Sequence, residues 1–361
     1  MSISHDDSLI IRTWFEIAAY ALEARASDIH IEAYPLETLV RIRVDGLLQV
    51  QSQYPAQFHE RLITRIKILA RLDIAEKRIP QDGRLSIGLD FSKPNIDCRV
   101  SILPTLYGEK AVIRILPNRL EELNLECIGL LPEQLEILRS AIAKPNGLIL
   151  VTGPTGSGKT RTLYSCLSAL NQHHRNLCSI EDPIEIRLPG VNQVAYHPRA
   201  GLDFGVIIKA LLRQDPDVIM IGEIRDSMTA RLAMQAAQTG HLVLSTLHTR
   251  NAHGALARLQ SLGIHQETLK SCLHCVSSQR LVRKRCPNCC GLAATDTADS
   301  STACNFCKGH GYFGRIGIHE ILSRKNLFAP EMPYLSMSDV GRRLIAEGAI
   351  DKTALDEEVC T

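Results

Sequence analysis

The sequence predicts an α/β protein: a mostly parallel sheet with crossover helices over residues 121–361, preceded by a small α+β domain over 1–120. Three observations carry this. Apolar runs at 148–151, 177–181, 217–222 and 241–246 alternate with helical stretches, the pattern of βαβ units whose strands lie parallel. The first run breaks into a glycine-rich turn and then a helical stretch, Gly153-Pro154-Thr155-Gly156-Ser157-Gly158-Lys159-Thr160. Before residue 121 the period is instead close to two, with short alternating runs and Asp-Gly doublets around two helical stretches.

With 361 residues the chain is long enough for two cores. Its 45% hydrophobic content is ordinary for a globular protein. No apolar run reaches 18 residues and no signal peptide is evident, so the expectation is a cytoplasmic protein, at most peripheral on the inner membrane through partners. Lys and Arg total 41 against 39 Asp and Glu, a net charge of +2, and aromatics are 4%. That balance makes nucleic acid unlikely as a direct ligand, since neither a global basic field nor a stacking platform is present. Twelve cysteines in such a chain suit buried thiols and a metal site better than disulfides.

Taken in order, Ser8 to Arg25 reads as an amphipathic helix with Leu9, Trp14, Ile17, Ala18, Ala21 and Leu22 on one face. Ser27 to Ala33 alternates as a strand, and Leu39 to Val44 with Leu47 to Gln53 form a hairpin about Asp45-Gly46. A helix follows over Gln57 to Leu72. Asp82-Gly83 then predicts a turn leading to strands Leu85 to Leu89, Ile96 to Leu103 and Ala111 to Leu116. Arginines stand on these strands: Arg41, Arg43, Arg84, Arg99 and Arg114. A solvated strand face is the plain explanation. The sharper one is charge neutralisation at a phosphate held by a neighbouring domain or subunit.

The glycine-rich turn has the G-x-x-x-x-G-K-T spacing of a phosphate-binding loop. Lacking β-carbons, Gly153, Gly156 and Gly158 let backbone amides curl around a phosphate, and the helix beginning near Lys159 adds its positive end. Lys159 would reach the β- and γ-phosphates of a nucleotide such as ATP, and Thr160 would offer its hydroxyl to Mg²⁺. In parallel sheets ligands sit beyond the strand carboxyl ends, so the other runs matter where they stop. The second ends in Glu181, Asp182 and Glu185, the third in Gly222-Glu223, where an acid can polarise water or hold Mg²⁺ through water. The fourth is bracketed by His241 and His248, with Ser245, Thr246 and Thr249 interleaved, groups able to sense a γ-phosphate by hydrogen bonding.

Cys286-Pro-Asn-Cys289 and Cys304-Asn-Phe-Cys307 are two C-x-x-C knuckles, the pattern of a tetrathiolate site for structural Zn²⁺ within a module at 286–314. Cys290 is spare. Cys272 and Cys275 fall in an apolar stretch expected to be helical and read as core thiols. Ser338 to Thr361 reads as short helices around a turn at 346–348.

GPTGSGKT, SIEDPIE, LLRQDPDVIMIGEIRD and AAQTGHLVLSTLHTRNA resemble, in order and spacing, the Walker A, Asp box, Walker B and His box of the secretion ATPase superfamily; SDIHIE, RIRVDG, PQDGR and DCRVSILPTLYGEKAVIRIL resemble its upstream domain. The branch most similar is that of the type II secretion and type IV pilus assembly ATPases. The resemblance implies a RecA-like ATPase domain after a PAS-like one. It also implies ATP, Mg²⁺ and Zn²⁺ as ligands, a homo-hexamer, and a polytopic inner-membrane platform protein among the partners. For residues it implies Lys159 and Thr160 at phosphate and Mg²⁺, Glu223 as the Walker B glutamate, Glu185 near Mg²⁺ and water, His241 and His248 in the His box, and Arg84 and Arg99, with Arg43 behind them, as nucleotide-contacting arginines. The tetracysteine element favours assembly over retraction, while a DNA-translocating motor remains the rival from another class. Two departures are expected to alter docking: no additional domain before residue 1, and an abbreviated stretch at 323–336.

Overall fold

The alternating runs of the first hundred residues make one antiparallel sheet. A computed structural model describes residues 5–88, 95–116, 123–291, 304, 306–329 and 331–359, in two compact units, Met1–Asn118 and Arg119–Thr361. In the first, α1 (His5–Glu23) and α2 (His59–Ala70) accompany β1 (Asp28–Ala33), β2 (Glu37–Val44), β3 (Leu47–Pro55), β4 (Gln81–Ile87), β5 (Ile96–Thr105) and β6 (Gly108–Ile115). Spatial order is β3-β2-β1-β6-β5-β4. Ile29, Ile31, Val40, Ile42, Val100, Ile102 and Ile113 project to one face and are buried with Trp14, Ile17, Leu62 and Ile66 of the helices. Each such side chain contributes about 1.5–3 kcal/mol by leaving water. Asp45 and Gly46 both adopt positive φ, 48° and 92°, as the tight β2–β3 hairpin requires.

The Asp82-Gly83 doublet is a correction. It does not turn: both residues lie inside β4, paired with Ser101 and Val100 of β5. Glycine is there for room, because a β-carbon at Gly83 would meet the Ala70 carbonyl oxygen and Leu72 Cδ2, each at 2.8 Å. Gly83→Ala is therefore expected to destabilise this unit by about 1–3 kcal/mol through overpacking. Trp14, the chain's one tryptophan and buried in this core, reports that unfolding by fluorescence; an unchanged denaturation midpoint would refute the packing argument.

The second unit alternates α3 (Pro132–Ile142), β7 (Gly147–Thr152), α4 (Lys159–Leu170), β8 (Leu177–Glu181), β9 (Val191–Ala195), α5 (Phe204–Leu211), β10 (Val218–Ile221), α6 (Ser227–Gln238), β11 (Leu242–Leu247), α7 (Ala252–Ser261) and α8 (Gln266–Cys272). It continues with β12 (Leu273–Arg285), β13 (Tyr312–Ser323), α9 (Arg324–Phe328), α10 (Met337–Ala346) and α11 (Lys352–Val359). The sheet order is β13-β12-β7-β11-β10-β8-β9. All neighbours are parallel except β12 and β13. Consequently β7, β8, β10 and β11, each fully buried, end on one common edge.

A second correction concerns 272–281. Cys272 closes α8, but from Leu273 the chain is strand β12, hydrogen-bonded to β7. A short buried apolar run has no exposed face to reveal its period. Both thiols are buried, as expected of core cysteines. The expected strand residue Leu89 and most of the polar segment between the two cysteine knuckles, 292–303, lie outside the described residues.

Candidate functional site

Beyond β7 the chain turns through Gly153, Gly156 and Gly158 at φ 145°, 81° and 87°, a path that L side chains resist. Gly153 is also hemmed in: a β-carbon would lie 2.5 Å from the Gln279 carbonyl oxygen. Pro154, Thr155 and Ser157 complete the loop, and α4 starts at Lys159 and Thr160 with Gly158 as its cap. The first amide of α4 bonded back along the chain is that of Thr162, to Gly158 at 3.2 Å, so the amides of its first turn face outward. The Ser157 hydroxyl is buried without a hydrogen-bond partner among the described residues. Lys159 is itself nearly buried; its Nζ donates to the carbonyls of Gly153 and Pro154 at 2.9 and 2.8 Å. Burial pushes its pKa down to about 8, opposed by the Glu223 carboxylate. An ammonium whose hydrogen bonds among the described residues go to neutral carbonyls, an orphaned hydroxyl and an open helix start together fit a phosphate group.

The carboxyl ends of the neighbouring strands bring two more of the expected residues to this loop. Glu223 follows β10 and pairs with Arg225, and His248 follows β11 with Nε2 3.7 Å from Glu223 Oε2. Burial and the Lys159 charge hold the His248 pKa below its ordinary value, so the ring is neutral at pH 7.

His241 is not brought there. It precedes Leu242, which pairs with Gly147 at the start of β7, whereas Leu247 pairs with Thr152 at its end. The strand's length, about 20 Å for six residues, separates His241 from the loop of its own unit, and its Nδ1 bonds the Ala236 carbonyl at 3.0 Å. The interleaved hydroxyls are committed to the backbone as well. Ser245 and Thr246 donate to Ile221 and Gly222, each at 2.7 Å, and Thr249 donates to Asn251 at 2.9 Å. The Ser245 and Thr246 bonds lash the end of β11 to the turn carrying Glu223.

Further buried polar side chains hold the site in shape. Gln279, buried on β12, donates to the Ser157 carbonyl at 2.6 Å and accepts from Thr162 Oγ1 at 2.8 Å. Glu181, at the end of β8, is buried and accepts from Ser179 Oγ at 2.6 Å, from Gln193 Nε2 at 3.0 Å and from the Tyr164 hydroxyl. Glu185 itself is exposed on the segment that follows. Glu181 was legible as an acid closing an apolar run, whereas Gln279, between Ser278 and Arg280, carries no sequence signal that names its partners.

In the first unit the arginines line up across strands. Arg84 lies opposite Arg99, Arg99 opposite Arg114, Arg114 opposite Asp28 and Asp28 opposite Arg43. Asp28 engages Arg114 at 2.9 Å and Arg43 at 4.0 Å, and Arg41 forms a two-pronged bond to Glu32 at 2.7 and 2.8 Å. Arg84 makes no ion pair among the described residues. Arg84, Arg99 and Arg114 line a hollow of about 530 Å³ with Asp82 and Ser101. Like charges set directly opposite on adjacent strands repel, and an anion relieves that repulsion.

The Sγ atoms of Cys286, Cys289, Cys304 and Cys307 lie within 4.8 Å of one another. Two edges measure 3.9 Å (Cys286 to Cys304) and 3.6 Å (Cys289 to Cys307), against about 3.8 Å for a tetrahedron of sulfurs around Zn²⁺. The two knuckles share a backbone path: Cys290 and Gly291 after the first, Lys308 and Gly309 after the second, all have positive φ, 52°, 88°, 52° and 81°. Asn288 Nδ2 and the Gly311 amide donate to Cys304 and Cys307 sulfurs at 3.6 and 3.3 Å, the support a thiolate ligand receives. The cluster is thus able to hold a metal ion, and Cys290 is exposed outside it.

The sequence model of the type II/IV secretion system protein family matches residues 4–339. The chain belongs to that family. It is 46% identical over 330 residues to type II secretion system protein E of Dickeya dadantii, across 88% of this chain and 66% of that protein. It is 42% identical over 353 residues to the type IV pilus assembly ATPase PilB of Acinetobacter baylyi, across 92% of this chain and 60% of that protein. It thus spans less than two thirds of the length of these relatives. The pilus retraction motor PilT, solved with bound ADP, superposes with a TM-score of 0.68 at 26% identity, across 95% of this chain and 96% of that one. The family resemblance stated from sequence and the α/β fold both hold. No helix among the described residues is long and apolar enough to cross a membrane.

Proposed function

We propose that this chain is the motor ATPase of a type II secretion or type IV pilus assembly machine, working as a homo-hexamer against a polytopic inner-membrane platform protein. The observation that carries it is the meeting of Lys159, Glu223 and His248 at one sheet edge, beside a loop whose open amides and orphaned Ser157 hydroxyl suit phosphate. ATP would enter with its phosphates in the 153–160 loop. Lys159 Nζ then exchanges two neutral carbonyls for a charged acceptor, a stronger bond that stabilises its ammonium form. The Thr160 hydroxyl, with Glu185 and Glu223, would hold Mg²⁺, which would supply charge neutralisation at the phosphate oxygens. Glu223 accepts the proton of the attacking water, and neutral His248 beside it donates or accepts a hydrogen bond without adding charge. The Arg84–Arg99–Arg114 row is proposed to neutralise the charge of an anion such as phosphate.

Assembly rather than retraction is favoured by the tetracysteine cluster and by 42% identity to PilB against 26% to PilT. The zinc identity of the metal rests on four thiolates at tetrahedral spacing. The test of the ATPase assignment is phosphate release by the purified chain with Mg²⁺ and ATP. Lys159→Ala is expected to lower it by about 10²-fold or more, the scale for removing one charged donor to a transition-state oxygen. Undiminished turnover in that variant would overturn the proposal.

A further inference from the structure

Tyr164 lies on α4, the helix that begins at Lys159, and its ring is fully buried. Its hydroxyl does two things at once. It donates to Glu181 Oε2, and it accepts the backbone amides of Glu185 at 3.2 Å and Ile186 at 3.4 Å. Gln193, on β9, holds the same segment from the other side: Nε2 donates to the Ile186 carbonyl at 3.0 Å and Oε1 accepts the Leu188 amide at 2.8 Å. That same Nε2 also donates to Glu181 Oε1 at 3.0 Å. Residues 182–188 form no strand or helix of their own, so these two side chains supply partners that regular secondary structure would otherwise provide. The demands are matched. A buried carboxylate needs donors, a phenol has one proton to give and lone pairs to receive, and the segment's amides need acceptors. Burial and the adjoining carboxylate push the Tyr164 pKa far up, which keeps the proton on the phenol at any working pH.

We propose that Tyr164 is a positioning residue that couples the phosphate-binding helix to Glu185 through this buried hydroxyl. The proposal rests on the assignment of Glu185 to Mg²⁺ and water made above. A shift of α4 in response to phosphate at its first turn would reach the 185–186 backbone through the Tyr164 hydroxyl, which accepts both amides. Phenylalanine keeps the ring and the packing but leaves the Glu185 and Ile186 amides and Glu181 Oε2 each short of a partner, so the segment relaxes and Glu185 loses its setting.

The experiment compares Tyr164→Phe, Glu185→Gln and the double variant in the full-length chain, measuring kcat and KM for ATP, thermal midpoint and amide hydrogen exchange. Tyr164→Phe is expected to lower kcat by about 10–100-fold, the scale for misplacing a reacting group by an ångström, with KM within about twofold because Lys159 is untouched. Exchange at the Glu185 and Ile186 amides should quicken by about tenfold or more with β7 protection unchanged. The double variant should be no slower than Glu185→Gln, since both losses pass through one carboxylate. Wild-type kcat in Tyr164→Phe beside an impaired Glu185→Gln overturns the positioning role, as do losses that multiply in the double variant. Wild-type kcat in Glu185→Gln overturns the assignment of Glu185, and this proposal with it. If Tyr164→Phe does not fold, Gln193→Leu releases the segment from the other side and is expected to reproduce the fall in kcat at constant KM; a wild-type rate there overturns the proposal.

Discussion

Glu223→Gln is expected to lower ATP turnover by about 10²–10⁴-fold, the contribution of a well-placed general base, while ATP still binds. Glutamine has nearly the same shape and accepts a hydrogen bond from Arg225, so the turn after β10 keeps its geometry. The lashings of that turn, Thr246 to Gly222 and Ser245 to Ile221, do not involve the carboxylate at all. What disappears is a group able to take a proton from water beside the phosphate site. Affinity should hold or rise, because a negative charge near Lys159 is removed, and its repulsion of phosphate goes with it. Nucleotide binding and single-turnover hydrolysis on the same preparation separate the two effects. Equal losses of binding and turnover would mean that Glu223 serves structure instead, and unchanged turnover would remove it from the chemistry.

Cys304→Ser is expected to empty the cysteine cluster of metal and unravel the tip of the β12–β13 hairpin while leaving the phosphate loop folded. A neutral serine hydroxyl is a poor substitute for a thiolate, and three remaining sulfurs close the tetrahedron incompletely. Apparent binding energies of structural Zn²⁺ in small domains are about 10–16 kcal/mol. That scale exceeds what the local contacts can replace: a backbone bond from Cys286 to Gly311 at 2.8 Å, and Arg283 over the Tyr312 ring at 4.5 Å. Metal analysis should find about one Zn²⁺ per wild-type chain and next to none in the variant. Amide exchange at Cys286 should accelerate far more than at Gln279, seven residues earlier and within β12. Full metal content in the variant would exclude the tetrathiolate site.

The parts of the site legible in the sequence are those made by consecutive residues. A strand, a glycine turn, Lys159 and Thr160 follow one another along the chain, so their spacing encodes their geometry. Two C-x-x-C knuckles do the same, each repeating one local backbone path. Glu223 was legible because an acid closes an apolar run. The failures share a cause as well. Asp82-Gly83 carries a strong local turn signal, but the approach of Ala70 and Leu72 puts a strand there, and that approach comes from residues distant in sequence. Cys272 to Leu281 gave no usable period because β12 is covered on both faces by its neighbours. His241 was grouped with His248 because both flank one strand, and only the parallel register with β7 decides which flank faces the loop.

By itself the sequence determined the α/β fold, the glycine-rich turn at 153–160, the tetracysteine cluster and the family, since each is written in short-range spacing or in continuous similarity. The tertiary structure alone decided which polar side chains meet: Gln279 beneath the loop, Tyr164 between Glu181 and Glu185, arginines aligned across three strands, and His241 left at the far end. Those pairings depend on strand direction and cross-strand register, which are set by hydrogen bonds between segments tens of residues apart.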